Sequence, residues 1–453
     1  MDAPHQPAKF QTLLALAWPI IISRASQTIV GLSDTLMVAH LGASALAATA
    51  TGGLNAFTLL ILPMGITFII SSFSAQLFGK GDVAGARRYG WYGLLVALGT
   101  MVLCLVTWPF IDVLLARLSY TDEVRGLMSA YIHIRLLSGG AAIGIEALAN
   151  YYGGLGRTRP GMVANLFAML FNVLGNWLLI DGHLGLPALG VVGAAWASTL
   201  STTLAFIGFF VFFFREGRPD ARAKLEALEF FRMLRFGLPS GFNWLFEFAA
   251  FVFFANVVVA GLGTAALAAM NAVMSLNSAA FMPAFGLASA GAILVGQAIG
   301  AGRKDEVPGV VWLTVRSTVT WQGSVGLLCL VAPEVLIGPF ARGEGGPEVA
   351  AIGARMLMVS AAWQLFDATG MSIAEALRGA GDTLFPMAAR IAIAWLVFVP
   401  GSYLSVRWYG WGDIGATSWL VAYLALLAVV VALRFRRGAW RHIELVDGAP
   451  PSH

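Results

Sequence analysis

Three carboxylates lie in stretches that otherwise read as soluble in lipid: Asp34, within Val30-Gly-Leu-Ser-Asp-Thr-Leu-Met-Val-Ala39, then Glu247 and Asp367. Even on the lenient insertion scale, a carboxylate at the centre of an apolar helix costs roughly 2.5–3.5 kcal/mol, so each needs a partner or a task. Amides accompany them. Ser23, Gln27 and Asp34 follow an i, i+4, i+11 spacing and share one helix face. Asn165, Asn172 and Asn176 follow an i, i+7, i+11 spacing and form a second stripe, which fits either a polar cavity or hydrogen bonds that hold helices together. Asn243 precedes Glu247 by one turn among Phe246, Phe248, Phe251, Phe253 and Phe254.

Depth separates these groups. At 1.5 Å of rise per residue, Asp34 stands about 33 Å along its span, towards the outer end. There it acts either as a functional site or as an interfacial aspartate pairing with water or a lipid headgroup. Glu247 lies about 15 Å in from one side and Asp367 about 21 Å in from the other, so both are expected near the midplane. Neither of their own spans supplies a Lys or Arg at that depth. Buried acids without a basic partner hold a proton or bind a cation, which is the chemistry of ion coupling. Glu146 is expected to pair with Arg157 or Arg159, and Glu375 with Arg378 at i, i+3. Arg24 either snorkels or pairs with an acid.

The elements that carry these residues are membrane helices. Of 453 residues, 58% are hydrophobic and only 11% charged, against about 25% charged in soluble domains. Apolar runs of helical length recur along the chain without the two-residue alternation of barrel strands. They predict twelve spans: 12–38, 47–77, 90–113, 127–152, 161–181, 189–214, 237–260, 265–299, 309–338, 352–377, 384–404 and 414–434. The first apolar run lacks a small-residue cleavage site and reads as a span, not a signal peptide. One set of loops carries Lys80, Arg87, Arg88, Arg157, Arg159, Arg303, Lys304, Arg378 and Arg390. The opposite set holds only Arg117, Arg125, Arg342, Arg355 and Arg407. The positive-inside rule therefore predicts both termini in the cytoplasm.

An internal repeat divides the chain. Leu41-Gly-Ala-Ser-Ala-Leu-Ala-Ala48 returns as Leu262-Gly-Thr-Ala-Ala-Leu-Ala-Ala269, and Gln76-Leu-Phe-Gly-Lys-Gly-Asp82 as Gln297-Ala-Ile-Gly-Ala-Gly-Arg-Lys-Asp305. Gly154-Leu-Gly-Arg-Thr158 likewise returns as Gly379-Ala-Gly-Asp-Thr383. Six spans per half predict an all-α membrane protein of two six-helix bundles related by a pseudo-two-fold axis along the membrane normal. The predicted organisation is an N-terminal lobe (1–214), a charged cytoplasmic linker helix (215–236) and a C-terminal lobe with a cytoplasmic tail (237–453).

Several classes are excluded. No Gly-x-x-x-x-Gly-Lys-Ser/Thr loop binds a nucleotide, and no basic block suggests nucleic acid. Cys104 and Cys329 lie in apolar runs and form no disulfide or metal pattern. No nucleophile or clustered-histidine constellation marks an enzyme.

Taken in order, Trp18-Pro19, Gly31-Leu-Ser-Asp34, Asn172-Val-Leu-Gly-Asn-Trp177, Gly237-Leu-Pro239 with Phe246-Glu247, Gln364-Leu-Phe-Asp367 and Leu377-Arg-Gly-Ala-Gly-Asp-Thr383 resemble the multidrug and toxic compound extrusion (MATE) family, in its bacterial NorM-type branch. The resemblance runs from about residue 10 to residue 435. It implies a two-lobed antiporter of the bacterial inner membrane, acting as a monomer among membrane lipids. Such an antiporter would export cationic amphiphilic small molecules in exchange for Na+ or H+ by alternating access, with no cofactor beyond that coupling ion. It also implies that Glu247 and Asp367 form the C-lobe cation site, a possible Na+ site, supported by Asn243 and by Trp363 where some relatives carry tyrosine. Asp34 matches the N-lobe coupling aspartate, Asn172 an asparagine of that site, and Gln27, Asn176 and Ser198 fill positions nearby. Some relatives carry a second aspartate in place of Asn176. A flippase for lipid-linked or other amphiphilic substrates on the same architecture is the alternative.

Overall fold

The computed structural model describes residues 9–216, 224–341 and 345–446. Residues 217–223 of the expected linker, with Arg218 and Arg222, lie outside the described residues, as does Arg342. Among the described residues there are helices and no strands. Among these residues ten helices are long and apolar enough to cross a membrane, or up to twelve when two bent pairs each count as one span. The backbone polar groups are thus satisfied within each segment, as hydrocarbon surroundings demand.

The chain forms two compact units. One, here the N-unit, comprises Ile22–Gly241; the other, the C-unit, comprises Met1–Ile21 with Phe242–His453. The division falls inside helices. The first helix, α1 (Phe10–Val38), begins in the C-unit, where Leu13, Leu16 and Ala17 are buried in the apolar core, and ends in the N-unit.

In the N-unit, α1 is followed by α2 (Ala43–Gly79), α3 (Val83–Thr107), the short α4 (Ile111–Leu115), α5 (Asp122–Leu136), α6 (Gly139–Gly154), α7 (Arg159–Ile180) and α8 (Val191–Glu216). The fourth expected span is broken: α5 and α6 meet at 47°. The break falls at Ser138-Gly139-Gly140, the kind of Ser/Gly cluster at which long helices kink. The charged stretch after residue 226 is not a separate linker helix. It is the amphipathic start of α9 (Ala227–Phe253). That start is clamped to α3 by Arg88, which donates to Glu229 at 2.7 and 2.8 Å, and by the Tyr92 hydroxyl, which donates to Glu229 at 2.8 Å.

In the C-unit, α9 runs into a π-helical segment, Phe254–Val259. After it come α10 (Thr264–Gly300), α11 (Val307–Val331), the short α12 (Pro333–Ile337), α13 (Gly346–Ala380) and α14 (Leu384–Ile393). A second π segment, Ala394–Phe398, leads to α15 (Val399–Arg407), and α16 (Gly412–Arg436) follows. The ninth expected span ends at Val331 instead of residue 338, because the chain bends by 95° where Pro333 opens α12. The two π segments touch through Phe254 and Phe398, whose ring centroids are 5.0 Å apart.

The sequence repeat is also a backbone repeat. α2 and α10 are each 37 residues long and each begins after a glycine, Gly42 (φ 112°) or Gly263 (φ 111°), in a conformation that disfavours any side chain. Gly81 and Gly302, and Gly156 and Gly381, are likewise paired left-handed turns at equivalent places.

Candidate functional site

The N-unit holds Asp34 in a closed cage. Near the end of α1, its carboxylate is 3% exposed. Asn172 and Asn176, one turn apart on α7, each donate to Oδ1 at 2.8 Å. Tyr131 on α5 donates to Oδ2 at 3.1 Å, and the Ser198 hydroxyl on α8 donates to the same oxygen. Asn172 also donates to Ser198 at 2.8 Å. The close packing of α7 on α8 sets this geometry: a Cβ at Gly193 would stand 2.4 Å from the Leu179 carbonyl oxygen. Small residues let membrane helices approach to this distance. Asn172, Asn176 and Ser198 are fully buried, and Asn176 Oδ1 has no hydrogen-bond partner.

Gln27 is not part of this cage. With Ser23 it joins a second polar cluster nearer the start of α1, and the register of two helices explains why. Gln27 and Asp34 are seven residues apart on α1, and so are Asn165 and Asn172 on α7, which places the two clusters about 10 Å apart along the helices. In the second cluster Asn165 donates to Ser23 Oγ at 2.7 Å, and Gln27 donates to Asn165 at 3.2 Å and to Glu146 at 2.5 Å. Arg24 donates to both Glu146 oxygens, at 3.0 and 2.9 Å. The expectation that Glu146 pairs with Arg157 or Arg159 is therefore corrected: Glu146 faces Arg24, while Arg157 pairs with Glu216 at the end of α8. Arg24 accordingly pairs with an acid. Glu375 and Arg378 form the expected ion pair.

The C-unit contains a cavity of about 250 Å³. Glu247 from α9 and Asp367 from α13 both line it. Around them stand Asn277 of α10, Gln322 of α11, Trp363 and Gln364 of α13, Tyr423 of α16 and the rings of Phe251, Phe281 and Phe398. Gln322 donates to Asp367 Oδ2 at 3.1 Å. Trp363 Nε1 donates to Asn277 Oδ1 at 3.2 Å, and Gln364 donates to the same oxygen. On this lining Gln322 Oε1 is buried with no hydrogen-bond partner, and the buried Tyr423 hydroxyl faces the Arg390 guanidinium. Asn243 is not among the lining residues, and its Oδ1 is buried without a partner.

One expectation about this cavity is overturned. Glu247 has a basic partner, Arg390, whose guanidinium forms an ion pair with its carboxylate. Arg390 reads as a loop residue in the charge count, yet it lies inside α14, on neither of the acids' own helices. Among the described residues, no group of three or more His, Cys, Asp or Glu could hold a metal ion.

The MatE family model matches residues 19–178 and 239–404, most of both repeats. The chain belongs to the MatE family. It is an integral membrane transporter, not an enzyme. It is 27% identical over 459 residues to the "Probable multidrug resistance protein NorM" of Brucella suis biovar 1 (strain 1330), covering 96% of this chain and 94% of that one. It is 29% identical to the protein of the same description from Mesorhizobium japonicum (strain LMG 29417 / CECT 9101 / MAFF 303099), covering 95% and 94%. Its fold matches a crystal structure described as MATE in complex with MaL6, with a TM-score of 0.87 at 21% identity over 95% of this chain and 97% of that one.

In this MatE chain several site residues carry no signal of charge. Tyr131, Asn277, Gln322, Gln364 and Tyr423 are neutral and lie on helices read for their apolar faces. Gln322 had a usable signal: it is an amide in the middle of an otherwise apolar span. Arg390 had one as well, since it falls inside the expected span 384–404.

Proposed function

We propose that this protein is a secondary multidrug efflux antiporter of the bacterial cytoplasmic membrane, working as a monomer in lipid with both termini in the cytoplasm. It exports cationic amphiphilic small molecules in exchange for Na+ or H+ by alternating access between two lobes. The observation that carries this reading is the C-unit cavity. Two carboxylates, an unpartnered amide oxygen and aromatic walls are what a cation with an apolar body needs. The names of the Brucella and Mesorhizobium relatives support the multidrug part of the reading.

The cavity volume of about 250 Å³ lies below the range that holds a whole drug-sized ligand. It suits the coupling ion with a few waters, or the charged end of a substrate. Ion and substrate then compete for Glu247 and Asp367, and each promotes release of the other through differential binding to the two lobe conformations. Asp34, held by four donors from three other helices, is the second acidic centre and ties ion binding to the packing of the N-unit. The acidity of the C-unit cavity disfavours a flippase for polyanionic headgroups.

Dye transport by purified protein in liposomes tests the reading. Efflux of ethidium under an imposed Na+ gradient, and separately under an imposed pH gradient, is expected to respond to at least one of them. No response to either would contradict antiport.

A further inference from the structure

Arg390 has no part in the reading so far. Without it, the C-unit cavity would present two carboxylates with the unpartnered oxygen of Gln322, 1% exposed, and the hydroxyl of Tyr423, 6% exposed, which Arg390 also faces. Two negative charges with neutral oxygens form the donor set of a hard divalent cation such as Ca2+, which takes six to eight oxygens from carboxylates, amides and water. With the Arg390 guanidinium on Glu247, the formal charge of the group falls from minus two to minus one.

We propose that Arg390 is a selectivity residue: a tethered cation that reserves the cavity for monovalent cations and excludes divalent ones. Coulomb repulsion scales with the charge of the incoming ion, so a fixed positive charge opposes a divalent ion twice as strongly as a monovalent one. At about 5 Å, with an effective dielectric constant of about 20, the difference amounts to a selectivity on the order of a hundredfold. The geometry serves this role. Arg390 reaches Glu247 from a third helix, α14, immediately before the π segment Ala394–Phe398, two of whose residues line the cavity. The guanidinium is always charged, so the exclusion does not lapse with pH. It leaves Asp367, hydrogen-bonded by neutral Gln322, for one monovalent ion.

The proposal rests on the reading of the cavity as a cation site. Equilibrium dialysis of the purified full-length protein in detergent against radiolabelled Ca2+ tests it. The wild type is expected to show no saturable binding in the low millimolar range, to which weak natural calcium sites extend. Arg390→Met is expected to bind Ca2+ on the order of a hundredfold more tightly, with Arg390→Lys remaining like the wild type. The double variant Arg390→Met/Glu247→Gln, which restores the formal charge, is expected to lose that binding again.

Calcium binding by Arg390→Met no tighter than by the wild type would overturn the proposal. So would saturable binding by the wild type itself, or binding that survives the double variant. If Arg390→Met does not fold, Arg390→Gln in native vesicles carries the same expectation, read as inhibition of dye efflux by added Ca2+. Efflux by Arg390→Gln as insensitive to Ca2+ as the wild type would count against the proposal. Gradient-driven dye efflux by the wild type reports separately on the antiport reading, so failure of either is recognisable on its own.

Discussion

Asp34 and the Glu247–Asp367 pair confront the same physical problem, a carboxylate inside an apolar bundle, and meet it in opposite ways. Asp34 is saturated by the protein: two amides, a phenol and a hydroxyl on three neighbouring helices donate to its two oxygens. A ligand would have to displace those donors. In the C-unit the carboxylates open onto a cavity, Asp367 receives one amide, Glu247 receives a guanidinium, and the neighbouring Gln322 oxygen is left without a partner. Buried polar groups without partners are unfavourable in a protein at rest and favourable to one that must bind. A carboxylate saturated by its neighbours holds helices together, whereas one that opens onto a cavity is free to accept a ligand.

The sharpest way to break this contrast is to neutralise the open site. Glu247→Gln or Asp367→Asn is expected to reduce gradient-driven ethidium efflux to the background of cells without the transporter, with the protein still in the membrane by immunoblot. Rates like the wild type in both variants would remove the cavity from the mechanism. Next in size is Glu146→Gln, which leaves the half-buried Arg24 without its counter-ion. Breaking such a pair costs up to about 3–5 kcal/mol, so this variant should show a clear fall in melting temperature in detergent. Asp34→Asn turns an acceptor of four hydrogen bonds towards donors it cannot fully satisfy, at a cost of about 1–3 kcal/mol. Its melting temperature should fall less than that of Glu146→Gln, and its affinity for ethidium, measured by fluorescence titration, should stay within about twofold of the wild type, since the cage is not expected to contact the ligand. The smallest effect is Tyr131→Phe, which removes one of the four donors and should lower stability by about 1 kcal/mol with efflux retained.

Much of this arrangement was legible in the chain. Hydropathy revealed the spans, and the paired motifs at 41–48 and 262–269 revealed a repeat that the backbone reproduces down to Gly42 and Gly263. The acids stood out because charge is rare in such segments. Periodicity, however, reports the face of a helix and not its depth, so Gln27 and Asp34 read as one stripe although they serve separate clusters. The acids' own helices carry no basic residue at that depth, and the partner of Glu247, Arg390, arrives from α14, 143 positions later in the chain. Asn277 and Tyr423 of the cavity carried no signal for a similar reason. Amides and phenols in membrane spans serve packing as often as binding, and only the convergence of α10, α11, α13 and α16 separates the two roles.

The central claim is that ion and substrate compete for the Glu247–Asp367 cavity. It is tested most directly by titrating ethidium onto the purified protein at increasing concentrations of the coupling cation identified in liposomes. The account predicts that the apparent Kd for ethidium rises in proportion to the cation concentration in the wild type and does not change with it in Glu247→Gln. An apparent Kd in the wild type that is independent of the cation would contradict it.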